Sequence, residues 1–128
     1  MIGQRLITKQ TGATGIPCNT VMISERKFPR REFYFAFALD RELGGAVLIA
    51  SSRGGVNIED VAKQTPDAII YHPVEQSKGF TKEVGDWILR RVGICDQPAY
   101  ACQMLCRLYD LFVKKDCLLA EINPYVED

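Results

Sequence analysis

Histidine is almost missing from this chain: His72 is the single one among 128 residues. A Ser-His-Asp or Cys-His relay needs a histidine beside a nucleophile, and scattered thiols around one ring do not supply that arrangement, so hydrolytic nucleophilic catalysis is disfavoured. His72 follows the apolar run Ala68–Tyr71 and precedes Pro73, which reads as the end of a strand. Net charge is also missing, with 16 Lys and Arg against 16 Asp and Glu. Without a basic field there is nothing to grip a nucleic-acid backbone, and no acidic tail is present. No apolar run approaches the ~20 residues that span a bilayer. The start, Met1-Ile2-Gly3-Gln4-Arg5, has no signal-peptide core, so the reading is of a protein without membrane or nucleic-acid partners. The five cysteines form no Cys-x-x-Cys pair, and the odd number leaves at least one thiol unpaired within the chain. Cys102 and Cys106 stand one helical turn apart, but two thiolates with one distant imidazole make a poor zinc set.

What remains is ordinary globular chemistry, 47% hydrophobic and 25% charged, enough for one modest domain with no repeat or low-complexity linker. A Gly/Thr/Pro-rich loop from Thr11 to Pro17 precedes an expected strand at Thr20–Ser24. A charged connection, Glu25–Arg31, leads to a second strand from Glu32 to Asp40. Its alternation sets Phe33, Phe35, Phe37 and Leu39 on one face and Tyr34, Ala36 and Ala38 on the other. After Gly44-Gly45 the run Ala46–Ala50 is a third, buried strand, and the short links predict an antiparallel meander. Asn57 caps a short helix with Ile58, Val61 and Ala62 inward; Pro66 lies beyond it and Ala68–Tyr71 is again a strand. A second helix over Thr81–Val92 lines up Val84, Trp87, Ile88 and Val92 and stops at Gly93. A third, capped at Asp96, carries Ala101, Met104, Leu105, Leu108, Leu111 and Phe112 in register. The sum is an α+β domain with a mixed or antiparallel sheet and about three helices.

The last of these elements ends in Cys117–Pro124, an apolar run into a carboxylate, an amide and a proline. Period-two geometry turns Glu121 and Asn123 to one face and Ile122 into the core, and Pro124, lacking a ladder N–H, is expected to end the strand. Two hard oxygen ligands on one surface suit Mg²⁺ completed by water and phosphates; a hydrogen-bonded turn cap is the competing reading. Ser51–Val56 lies between a buried strand and a capped helix, where backbone N–H groups can hold an anion or simply form a Gly-Gly turn. Glu32 could accept both hydroxyls of a ribose or be a surface carboxylate. The cluster Arg26, Lys27, Arg30 and Arg31 could meet phosphate or form a solvated hinge.

Taken together, Thr8–Thr11, Glu25–Lys27, Arg31–Tyr34, Leu39–Arg41, Gly54–Glu59 and Glu121–Pro124 resemble, in order and spacing, the β subunits of the succinyl-CoA ligase family. The form Ser-Glu-Arg-Lys-Phe-Pro-Arg-Arg-Glu resembles the ADP-forming mitochondrial type; ATP-citrate lyase and malate–CoA ligase are related alternatives, and a non-catalytic nucleotide- or subunit-binding module is a second reading. The resemblance implies an ATP-grasp domain in which nucleotide lies between two lobes and Mg²⁺ bridges its phosphates. It implies a reversible citric-acid-cycle reaction joining succinate and CoA at the expense of ATP, through a phosphohistidine on an α subunit, in the mitochondrial matrix. By the same resemblance Asn123 corresponds to the Mg²⁺ ligand, Glu121 to the carboxylate that positions the phosphorylated histidine and Glu32 to the ribose-binding acid. Ser24 and Lys27 correspond to the hinge that meets the adenine of ATP or ADP, although some relatives carry an acidic residue at the position of Ser24. The family's upstream phosphate-binding lysine and Gly-Arg-Gly loop, its downstream second Mg²⁺-binding aspartate and its CoA-ligase domain have no counterpart here. Residues 1–128 are therefore expected to be the central and C-terminal portion of an ATP-grasp domain, inactive in isolation.

Overall fold

The computed structural model describes residues 1–128. Two short strands, β1 (Arg5–Leu6) and β2 (Ile16–Pro17), form a small antiparallel ribbon near the start. The main sheet is built from β3 (Arg31–Asp40), β4 (Gly45–Ser51), β5 (Ile69–Pro73) and β6 (Leu119–Glu127), in the order β5-β4-β3-β6. Every pairing in it is antiparallel, which resolves the expected mixed or antiparallel sheet. β3, β4 and β5 form the meander, and the chain returns through the helices to lay β6 on the free side of β3.

β3 has a neighbour on each edge and cover on each face, so all five residues from Phe33 to Phe37 are buried. Period-two alternation sends Phe33, Phe35 and Phe37 to the side covered by α2 (Lys82–Val92) and α3 (Pro98–Lys114). There they join Leu48, Ile88, Leu89, Ala101, Cys102, Leu105 and Phe112 in one core. Phe37 meets the rings of Phe80, Tyr109 and Phe112 at centroid distances of 5.1, 5.2 and 6.1 Å, the tilted arrangement that aromatic quadrupoles favour. The two helices approach closely at Gly85, where a Cβ would stand 2.7 Å from Cys102 Sγ.

Four expectations need correction. Thr20–Ser24 forms no strand: Met22 and Ile23 are 89% and 92% exposed. β-Branched residues become a strand only where a partner accepts their hydrogen bonds, and Thr20–Ser24 lies against no strand of either sheet. Trp87 is half-exposed rather than on the buried stripe, and Leu89 takes the inward position. The Trp87 ring lies 5.5 Å from that of His72 and under Arg91, so its apolar body packs laterally at the sheet edge. The last helix starts one residue later than expected, with Gln97 in left-handed conformation before Pro98 rather than a cap at Asp96, and Leu111 is exposed. Pro124 does not end β6 either. Phe33 pairs with Tyr125 and Phe35 with Ile122, so Asn123 and Pro124 together oppose Tyr34 in a bulge where no ladder N–H is required.

Two of the three expected caps hold, at Asn57 and Gly93. Asn57 accepts the N–H of Glu59 at the start of α1 (Ile58–Gln64), and Gly93 closes α2 in the left-handed conformation with φ +86°; Thr81, expected inside that helix, is instead its cap and accepts the N–H of Val84. A single turn of 3-10 helix, Pro66–Ala68, leads into β5, where His72 stands one residue from the strand end. No helix is long and apolar enough to cross a membrane.

Candidate functional site

The face of the sheet turned away from α2 and α3 carries the candidate chemistry. Register puts Glu32, Tyr34 and Ala36 of β3 beside Glu121 and Asn123 of β6, with Ser51 on the far side in β4. Glu121 and Asn123 do point together, as alternation requires, while Ile122 packs into the core.

Tyr34, Glu121, Asn123 and Ser51 have defined hydrogen-bond partners on this face, whereas the Glu32 carboxylate has none. The Tyr34 hydroxyl donates to Glu121 Oε2 at 2.9 Å. Tyr34 is itself buried, and that burial, reinforced by the Glu121 carboxylate, holds its phenol above its ordinary pKa, so it is a proton donor throughout the physiological range. Asn123 is held at both ends: Gly55 N–H donates to its Oδ1 at 2.8 Å, and its Nδ2 donates to Val56 O at 3.1 Å. A backbone N–H can only donate and a carbonyl can only accept, so the orientation of the carboxamide is unambiguous. Gly54 N–H donates to Glu32 O at 2.8 Å. The Glu32 carboxylate lies against Gly55, and a recess of about 520 Å³ opens there between Glu32, Arg53, Val56, Asn57 and Asp60.

These bonds decide between the two readings of Ser51–Val56 in favour of the turn. The amides of Arg53, Gly54 and Gly55 are taken by Ser51 Oγ, Glu32 O and Asn123 Oδ1, so the loop holds protein groups rather than offering those N–H groups to an anion. The basic cluster is likewise engaged internally. Lys27 pairs with Glu25 at 2.8 Å, Arg26 lies over the Phe28 ring, and Arg30 reaches Asp96 and the Asp128 carbonyl. Arg31 pairs with the buried Glu127 and donates to Gly93 O. Ser24 and Lys27 lie in an exposed stretch without regular structure, and no hydrogen bond joins them to Glu32, Glu121 or Asn123. The structure thus brings three of the five candidate residues onto one face and leaves Ser24 and Lys27 apart in contact terms.

The bond of Tyr34 to Glu121 was not read from the sequence, and Gly55 was read only as part of a possible anion loop, not as a partner of Asn123. Alternation set Tyr34 on the correct face, but its link to Glu121 spans 87 residues and depends on the β3–β6 register.

No three His, Cys, Asp or Glu side chains converge as a metal set. Asn123 Oδ1 keeps a second lone pair and Glu121 Oε1 has no protein hydrogen bond, so the face presents two hard oxygens to solvent. That donor set fits Mg²⁺, a cation that keeps most of its shell as water and substrate oxygens. A separate, mainly apolar groove near Leu39, Leu43, Ala46, Tyr109 and Phe112, about 590 Å³, carries none of the candidate residues.

The α+β sheet thus carries a carboxylate and an amide on one edge strand, with a glycine loop beside them, on the face opposite α2 and α3. Residues 1–127 match the ATP-grasp domain family, and the chain belongs to it. Among its relatives it is 48% identical over 132 residues to the mitochondrial ADP-forming succinate–CoA ligase subunit beta of Columba livia, an alignment spanning the whole chain and 31% of that protein. The hydrogenosomal ADP-forming subunit beta of Neocallimastix frontalis is 46% identical over 129 residues, again the whole chain and 30% of the relative. A GDP-forming mitochondrial subunit beta, from Dictyostelium discoideum, is 43% identical across 99% of the chain and 30% of its own length. The chain therefore spans about three-tenths of the length of the curated relatives it matches.

Proposed function

We propose that this chain forms part of the nucleotide cleft of a succinate–CoA ligase β subunit. The observation that carries the reading is the single sheet face shared by Glu32, Glu121 and Asn123, with the two β6 groups oriented by Tyr34 and the Gly54–Val56 loop. The relatives named for this activity, matched over the whole chain, support succinate over the acids of related ligases. They carry both ADP-forming and GDP-forming names, and the likeness of Ser-Glu-Arg-Lys-Phe-Pro-Arg-Arg-Glu to the ADP-forming type favours adenine.

In the assembled enzyme, ATP, succinate and CoA give ADP, phosphate and succinyl-CoA, reversibly, by way of a phosphohistidine on an α subunit. Glu32 accepts the ribose hydroxyls, and Ser24 and Lys27 border the base. Asn123 Oδ1 is the ligand this chain offers to Mg²⁺, which when bound supplies neutralisation of charge at the phosphates. Glu121, held at Oε2 by Tyr34, keeps Oε1 free to accept an imidazole N–H and so orient the histidine for in-line transfer. By this reading the 128 residues alone are a half-cleft without turnover, and the complex works in the mitochondrial matrix.

The test is phosphohistidine formation from radiolabelled ATP by the parent β subunit assembled with its α partner. Wild type labels the α subunit; Glu121→Ala slows labelling, and Asn123→Ala raises the Mg²⁺ and ATP needed. Labelling that is unaffected in both variants refutes these roles.

A further inference from the structure

The scheme above uses the glycine loop after β4 only as a holder of Asn123, yet the loop also contacts Glu32 at the other end of the site face. Asn123 is exposed, so water would satisfy its carboxamide without help. Instead both of its polar atoms are bonded to backbone groups 67 and 68 residues away, Val56 O and Gly55 N. Two ties on a planar amide remove the broad rotation its terminal torsion otherwise has. Burial does not require them; what they accomplish is orientation.

The loop is also tied to Glu32. Gly54 N–H donates to Glu32 O, and a Cβ on Gly54 would overlap the Phe33 carbonyl. Gly55 is favoured by its φ of +68°, and a Cβ there, 2.5 Å from Glu32 Oε2, would push the Glu32 carboxylate out of its place. At one end the loop is fixed by the buried Ser51 of β4, whose Oγ accepts from Arg53 N–H, and at the other by the cap of α1. It is a short rigid bridge from β3 to β6.

We propose that Gly55 is a positioning residue that couples the two ends of the cleft. Its N–H fixes Asn123 Oδ1 with one lone pair bonded and the other open for a cation. Its bare Cα lets the Glu32 carboxylate stand against the same loop, so the ribose side and the metal side are set by one backbone segment. The assignment of ribose and cation rests on the function proposed above; the coupling itself rests on the hydrogen bonds.

Two measurements test it. In the 15N-labelled 128-residue chain, the Gly55 backbone amide and an Asn123 side-chain amide proton are expected to exchange slowly. Asn123→Ala, a change at an exposed side chain, frees the Gly55 amide, and Gly55→Ala frees the Asn123 side chain while the amides of Phe35 and Leu48 stay protected. Rapid exchange of Gly55 in the unaltered chain overturns the proposal. In the parent β subunit with its α partner, Gly55→Ala raises the half-saturating Mg²⁺ concentration on the order of tenfold, as loss of a ligand's supporting partner does, and raises the KM for ATP with it. A variant with wild-type Mg²⁺ and ATP half-saturation also overturns it. If the unaltered assembly forms no phosphohistidine, the functional reading fails, and the exchange data still decide whether the loop holds Asn123.

Discussion

Replacing Tyr34 with phenylalanine isolates one hydrogen bond. The ring is 3% exposed and packs identically in either residue, so the substitution removes the hydroxyl and nothing else of consequence. That hydroxyl donates to a carboxylate at 2.9 Å. Bonds to charged groups in proteins contribute about 1.5–3 kcal/mol, and the exposed Glu121 can turn to water once released, so a loss of about 1 kcal/mol at pH 7 is expected. The pH dependence supplies a second, independent reading. Burial first, then the Glu121 hydrogen bond and charge, raise the phenol's pKa in the folded protein. A group whose pKa is raised on folding contributes stability that is complete below its unfolded value, about 10 for tyrosine, and lost as pH rises beyond it. The advantage of Tyr34 over the phenylalanine variant should therefore be constant from pH 7 to 9 and shrink at pH 10.5 and above. Urea denaturation followed by circular dichroism at those pH values measures it, the other tyrosines cancelling in the difference. A phenylalanine variant as stable as wild type at pH 7, or a gap that does not change in alkali, would show that the phenol is not bonded to Glu121 as described.

Leu105 of α3 is fully buried in the core, and Leu105→Ala should cost about 3 kcal/mol, read as a lower urea midpoint with unchanged slope. Glu127 is a buried carboxylate that accepts from Arg31 and from the Asp96 N–H at 3.3 Å, so Glu127→Gln should destabilise the chain, whereas Glu127→Gln combined with Arg31→Met should lose less than the single variant. Burial and the neighbouring Asp86 push the Cys102 thiol up to about 11, while Cys95 is exposed. A thiol reagent at pH 8 should thus label Cys95 rapidly and Cys102 only on unfolding, as mass spectrometry of the labelled peptides would report.

How much could be read in advance varies with the range of the interaction. The caps at Asn57 and Gly93 were legible because a cap is an arrangement between residues two to four apart. The Phe33–Leu39 alternation was legible for the same reason. Thr20–Ser24 has the composition of a strand but is not brought beside either sheet edge, and no local signal reports a missing neighbour. Trp87 fits the helical period, yet the surface it meets is His72 at the sheet edge rather than the core.

The site divides along the same line. Sequence by itself determined that Glu121 and Asn123 share a face, that Ile122 opposes them, and that a flexible Gly-Gly pair stands before a capped helix, because each follows from the geometry of a few consecutive residues. Only the tertiary structure decided that β6 runs through Pro124 in a bulge, that Tyr34 holds Glu121, and that Gly55 and Val56 clamp Asn123 from 68 and 67 residues away. Those contacts depend on which strands lie side by side and in what register, and that is settled by burying both faces of β3 rather than by any residue within the motif.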